Sequence, residues 1–221
     1  MPEPLNLFAG KASDIVRVLL VNYPRAWTLR ELAAEAGVAL SWVSKVSRAL
    51  IRERLAIRSS SRSELRLMVP SDLLRRWANN RNFAANSKFV EYYAREEDVV
   101  KFLDLFKNKK GPEYALTGLA GALKVAPYVR PTNIHIYVKT EEDAKKWAEL
   151  LDLMPIEGGG NVKFAIAQDK RVFYGSQEIG GVRVVSDIQL YVDLLNYPGR
   201  GEEAAQIILK FIEKRWKKYT G

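Results

Sequence analysis

Ser41, Ser44, Lys45, Arg48 and Arg52 recur at spacings of three and four residues, so a single helix would carry them all on one face. Their hydroxyl, ammonium and guanidinium groups are donors suited to phosphate oxygens and guanine edges. On the opposite face Val43, Val46 and Leu50 form an apolar stripe, which would hold such a helix from behind. Trp42 occupies a position that either reads bases or packs against an earlier helix. A second set of cations, Arg58, Arg62 and Arg66, is spaced by fours around the polar tip Ser59-Ser60-Ser61-Arg62-Ser63. Ala56-Ile57-Arg58 and Glu64-Leu65-Arg66-Leu67-Met68-Val69 read as the two strands of a hairpin that carries them. Arginines on such a hairpin grip phosphates or probe a minor groove. The bland alternative for both sets is a solvated basic face.

The flanking residues supply the elements that would position these groups. Thr28 with Glu31 makes a capping box that starts a helix, with Leu32 and Ala33 facing inward. Gly37 sits where that helix must stop in a left-handed turn, and Ser41 is expected to cap the next one. Residues 28–69 therefore read as a helix-turn-helix followed by a basic wing. The run Ala39-Leu40-Ser41-Trp42-Val43-Ser44-Lys45-Val46-Ser47-Arg48-Ala49-Leu50 resembles the winged helix-turn-helix of bacterial and archaeal regulators, which implies double-stranded DNA as a partner. Charge points the same way: residues 1–80 hold 13 Lys and Arg against 7 Asp and Glu, and the remainder 22 against 19.

Other candidates for chemistry are weaker. Gly158-Gly159-Gly160 invites a phosphate-loop reading, but Asn161-Val162-Lys163-Phe164 follows where Gly-Lys-Ser/Thr should open a helix, so a flexible connection is favoured. His135 is the only histidine and there is no cysteine, which removes thiol nucleophiles, disulfides and histidine-rich metal centres. His135 alternates with Asn133 and Tyr137 on one strand face, where packing or a hydrogen bond is expected. Glu141-Glu142-Asp143 sits at a predicted helix start, where acids favour the helix dipole. The sequence therefore offers no catalytic, cofactor-binding or metal-binding constellation, and a non-enzyme is expected. It shows neither a signal peptide nor a run of about 20 apolar residues, so a cytoplasmic protein without membrane attachment is expected.

Two domains are expected within the 221 residues, 1–80 and 81–221, joined near Asn79-Asn80-Arg81-Asn82-Phe83-Ala84-Ala85-Asn86-Ser87. The second alternates strand and helix signals. Strands are expected at residues 89–93, 114–118, 133–138, 161–167 and 172–174, with a hairpin at Gly180-Gly181. Helices are expected at residues 96–106, 119–125, 141–153, 187–195 and 202–218, with Ser186 and Gln189 as a capping box for the fourth. The fold class is α+β with a mixed sheet.

Tyr114-Ala115-Leu116-Thr117-Gly118-Leu119-Ala120 and Arg130-Pro131-Thr132-Asn133-Ile134-His135-Ile136-Tyr137-Val138 look like the core of the nucleotidyltransferase fold. Active members carry Asp-x-Asp on the second strand to hold divalent ions; here Asn133 and His135, or Ile134 and Ile136, stand there instead. The resemblance thus implies a degenerate, inactive core. A winged helix followed by such a core, with residues 184–195 and Tyr197-Pro198-Gly199-Arg200-Gly201-Glu202-Glu203-Ala204-Ala205, resembles the AbiEi family of type IV, abortive-infection antitoxins. That resemblance implies an autorepressing transcriptional regulator, with operator DNA and a nucleotidyltransferase toxin as partners. A small-ligand-responsive regulator without a toxin, and an active nucleotidyltransferase, are the alternatives.

Overall fold

The structure, a computed structural model, describes residues 5–58, 60, 63–127 and 131–220, the last two without their side chains. The chain divides into two compact units, residues 1–80 with 210–221, and residues 81–209.

The first unit opens with α1 (Gly10–Val21), α2 (Leu29–Ala36) and α3 (Leu40–Arg52), followed by β1 (Ala56–Ile57), β2 (Arg66–Leu67) and α4 (Pro70–Asn79). The start of α2 is locally encoded: Thr28 Oγ1 accepts from Glu31 N–H, and Glu31 Oε2 accepts from Thr28 N–H at 3.0 Å. Gly37 ends α2 at φ 62°, a left-handed turn that costs glycine nothing. Ser41 does not cap α3. That helix begins two residues earlier, at Leu40, with Ala39 as its uncapped N-cap, because the turn from Gly37 already delivers an extended residue at 39. Thr28→Ala is expected to lower stability by about 1 kcal/mol, the worth of a helix cap. A shifted urea midpoint with an unchanged slope would show it; an unchanged midpoint would mean the box contributes nothing.

Ile15, Val18, Leu32, Val43, Val46 and Leu50 are all fully enclosed, so the expected stripe of α3 is core. β1 and β2 pair antiparallel through Ala56↔Leu67 and Ile57↔Arg66. Only two residues of the six expected in the second strand belong to it. Leu65 instead exchanges backbone hydrogen bonds with Trp27, at 3.0 and 2.7 Å, which brings the segment before α2 alongside the hairpin. Arg17, itself buried, lies with its guanidinium 4.9 Å from the Trp77 ring centroid.

The second unit contains α5 (Phe83–Asn86), β3 (Lys88–Tyr93), α6 (Val99–Asp104), β4 (Tyr114–Thr117), α7 (Gly118–Val125), β5 (Ile134–Val138), α8 (Glu141–Leu150), β6 (Met154–Pro155), β7 (Val162–Ile166), β8 (Gln177–Ile179), β9 (Val182–Val184) and α9 (Asp187–Leu194). One further helix, α10 (Gly201–Thr220), begins in this unit, and its residues from 210 onward belong to the first. The seven strands form one sheet in the order β6-β3-β7-β5-β4-β9-β8, with β5–β7 and β4–β9 parallel and the other pairs antiparallel. The architecture is α+β with a mixed sheet.

Three local expectations change. Residues 170–173 form a 3-10 turn rather than a strand, because Asp169 caps Arg171 N–H and the adjacent Val172 and Phe173 are both buried instead of alternating. α6 is shorter than expected, starting where Asp98 accepts from Val100 and Lys101 N–H. The asparagine-rich stretch is not a bare linker: Asn82 caps α5, and Phe83 is wholly buried. No helix among the described residues is long and apolar enough to cross a membrane.

The alternation of β5 sets the two faces of the sheet. Ile134, Ile136 and Val138 join Phe102, Phe106 and Trp147 of the α6–α8 side in one apolar core. His135 and Tyr137 point the other way, onto Phe83 of α5 at ring-centroid distances of 5.5 and 5.6 Å. All five residues of β5 are therefore buried, polar ones included.

Candidate nucleic-acid interface and the buried polar centre

On α3 the residues opposite the core stripe are open: Ser41, Lys45, Arg48 and Arg52 are exposed, and Ser44 is half-buried. Arg48 Nε donates to the Ser44 carbonyl at 3.3 Å, which draws the guanidinium back along the helix surface. Trp42 is half-buried, with the Lys45 ammonium 5.4 Å from its ring centroid. The helix thus gathers Ser41, Ser44, Lys45 and Arg48 onto one side, as their spacing requires, with Trp42 at the margin next to Lys45.

The hairpin arginines divide. Arg66 is exposed and lies 3.4 Å from Glu64. Arg58 is half-buried, and its Nε donates to the Ser63 carbonyl at 2.7 Å, so part of its donor capacity shapes the hairpin itself. Arg62 lies outside the described residues.

Charge separates between the units. The first holds 18 Lys and Arg against 8 Asp and Glu, a formal +10; the second holds 17 against 18, a formal −1. The surplus of residues 81–221 comes wholly from residues 210–221, with five cations and one anion. The net positive charge of the chain is thus concentrated in the first unit.

The second unit holds a buried polar centre assembled from distant segments. Asp193 of α9 is completely buried. It accepts from Thr117 Oγ1 at 2.7 Å, Gln189 Nε2 at 2.7 Å and Tyr137 Oη at 3.2 Å. Arg81 Nε lies 3.3 Å from Asp193 Oδ1 as an ion pair, and Arg81 Nη2 donates to Tyr137 Oη at 3.1 Å. Burial pushes the Asp193 carboxyl up from the usual carboxylate range, against the Arg81 charge and the three donors. Burial also raises the Tyr137 phenol, with the Asp193 charge beside it. Burial alone would lower Arg81, but Tyr137 and Asp193 hold it firmly protonated. Gln189 is therefore not the return arm of a capping box. Ser186 does accept from Gln189 N–H at 3.2 Å, while the Gln189 amide turns inward to Asp193.

One sequence signal points to this centre. Gln189 and Asp193 are four residues apart on a helix whose other residues, after Asp187 in its first turn, are Ile188, Leu190, Tyr191, Val192 and Leu194. Two polar residues sharing a stripe of so apolar a helix body must meet partners inside the protein.

His135 sits beside this centre, packed by Phe83, Phe89 and Tyr197 at centroid distances of 5.5, 5.6 and 5.3 Å. Its Nδ1 is buried and has no hydrogen-bond partner. Burial, aided by Lys163, lowers its pKa to about 4, so the imidazole is neutral. Gly118 begins α7 at φ 58°, and a Cβ there would lie 3.4 Å from His135 Nδ1. Strand register sets Thr117 directly opposite His135. The glycine run at 158–160 is pinned at its third member: Gly160 N–H donates to Glu91 at 3.0 Å, and a Cβ there would approach the Tyr92 carbonyl to 2.5 Å. Among the described residues no three His, Asp or Glu side chains are grouped to hold a metal ion.

No curated protein and no solved structure matches the chain. A family model does match, over residues 66–214, about two thirds of the length. The chain therefore belongs to the AbiEi_2 family, transcriptional regulators described as AbiEi antitoxins of type IV toxin–antitoxin systems.

Proposed function

We propose that the first unit is a winged helix-turn-helix that binds duplex DNA, and that the protein represses its own operon. The observation that carries this reading is the row of exposed Ser41, Lys45 and Arg48 with half-buried Ser44 on α3, backed by core residues, within a unit of formal charge +10. In this reading α3 enters the major groove, and the β1–β2 hairpin with Arg58, Arg62 and Arg66 forms the wing against the backbone. The family match begins at residue 66, so this assignment stands on the chain's own α1–α3 residues. Replacing Lys45 and Arg48 together by alanine is expected to weaken binding to the gene's own upstream duplex at least tenfold, or about 1.4 kcal/mol. A gel-shift titration with unchanged affinity would sink the assignment.

The second unit, in the same reading, is a nucleotidyltransferase-like core that opposes a partner nucleotidyltransferase toxin without catalysis of its own. Support comes from β4 turning through Gly118 into α7, with β5 antiparallel beside it. In this reading Asn133 and His135, or Ile134 and Ile136 with the register shifted by one, stand where active members of that fold carry paired aspartates. The nearest buried carboxylate, Asp193, is already engaged by Arg81, Thr117, Tyr137 and Gln189. Copurification of a nucleotidyltransferase, encoded beside this gene, would support an antitoxin role. A regulator responding to a small ligand is the second reading, favoured by a cleft of about 600 Å³ lined by Lys88, Glu91, Tyr92, Glu141 and Ile156. An effector that alters DNA affinity without any toxin present would favour it.

A further inference from the structure

The last turns of α10 carry a second basic surface. Ile212 and Trp216 are buried, while Lys210, Lys214 and Lys218 are exposed in one row at four-residue spacing, with exposed Phe211 beside them. Glu213, the sole anion among residues 210–218, is half-buried and lies 3.8 Å from Arg75. Among the described residues no ion pair or hydrogen bond reaches Lys210, Lys214 or Lys218.

Like charges four apart on a helix repel and weaken it. The helix dipole favours cations in the final turn, which accounts for Lys217 and Lys218 but reaches neither Lys210 nor Lys214. The row is therefore held against its own repulsion, and an external polyanion would relieve it. Eight residues of helix span about 12 Å, which covers about four phosphates of one DNA strand at about 3.4 Å per step along the axis, enough for one to each lysine. A lipid surface would demand an apolar face lying beside the cations; here Ile212 and Trp216 are spent inside the protein, and exposed Phe211 is a single side chain rather than a face.

We propose that Lys210, Lys214 and Lys218 form a sequence-independent clamp on the phosphate backbone of duplex DNA, supplementing α3. This rests on the DNA-binding reading of the first unit. The row belongs to that same compact unit, where the net positive charge of the chain is concentrated.

The test compares four forms of the full chain on the gene's own upstream duplex and on a scrambled duplex of equal length, across a salt series. These are the unaltered protein, the Lys45→Ala/Arg48→Ala variant, a Lys210→Gln/Lys214→Gln/Lys218→Gln variant and the matching triple Lys→Arg variant. The glutamine variant is expected to lose affinity by the same factor on both duplexes. Its slope of log K against log salt should become shallower by about 2–3, at about 0.9 for each lost contact. The arginine variant should keep the slope, because the number of charges is unchanged. An unchanged slope in the glutamine variant, with the Lys45/Arg48 effect intact, overturns the clamp alone. A loss confined to the upstream duplex overturns its sequence independence. Failure of the unaltered protein to bind either duplex overturns both the clamp and the reading beneath it. Circular dichroism of each variant shows that the exposed substitutions leave the fold in place.

Discussion

Asp193→Ala is expected to lower the stability of the protein by about 3–5 kcal/mol, the usual penalty for removing one partner of a buried ion pair. The loss would be read as a fall in the urea midpoint. The size of the effect follows from what remains after truncation. Arg81 would keep its charge with only 27% of its side chain exposed, and Thr117 Oγ1 and Gln189 Nε2 would lose acceptors inside the core. Each uncompensated donor costs about 1–3 kcal/mol. Thr117→Val, which removes one donor and leaves the carboxylate its other partners, should cost much less. The double change Arg81→Met with Asp193→Leu should recover only the part of the loss that comes from the unpaired Arg81 charge, since Thr117 Oγ1, Tyr137 Oη and Gln189 Nε2 still lose the Asp193 acceptor. A loss below about 1 kcal/mol for Asp193→Ala would mean that this network does not hold α5, β4, β5 and α9 together.

His135 gives the second large effect, visible as pH dependence. Its pKa is about 4 in the folded protein, against 6.5 for an ordinary imidazole. Between these values the unfolded chain takes up a proton that the native ring refuses. The contribution is therefore fully present above about pH 6.5, and it drains away as pH falls through 4, amounting to about 3 kcal/mol. Carboxylates titrate in the lower part of the same window, so the informative quantity is a difference between proteins. His135→Leu should flatten the stability–pH curve between pH 6.5 and 4 by that amount, whatever it does to stability at pH 8. As the chain has only one histidine, no second imidazole confuses the comparison. Parallel curves for the two proteins would show that the ring is protonated in the native state.

What could be read from the sequence was local. The Thr28–Glu31 box, the left-handed Gly37 and the α3 stripe of Val43, Val46 and Leu50 depend on residues within a few positions of one another, and each holds in the fold. The alternation through residues 134–138 also held, because strand period is a property of the chain itself. Ser41 misled as a cap because the propensity of serine for that position is weaker than the geometry of the turn before it. The buried centre was hidden for a different reason. Arg81, Thr117, Tyr137 and Asp193 come from four distant segments, and no short window contains two of them. Arg81 and Phe83 looked like linker because asparagines surround them, although both are anchored in the second unit. The same limit applies to α10: its amphipathic pattern announces a helix but not the core its last turns join.

The discontinuity of the first unit has a consequence for how the protein is made. Its core includes Ile212 and Trp216, the latter meeting Tyr23 edge to face at 5.3 Å. On the ribosome, 129 residues of the second unit are polymerised between Asn80 and Lys210. The nascent α1–α4 segment must therefore wait, with Tyr23 unpartnered, until that entire stretch has been synthesised. Chains abandoned during translation would lack both this closing contact and the last turns of α10.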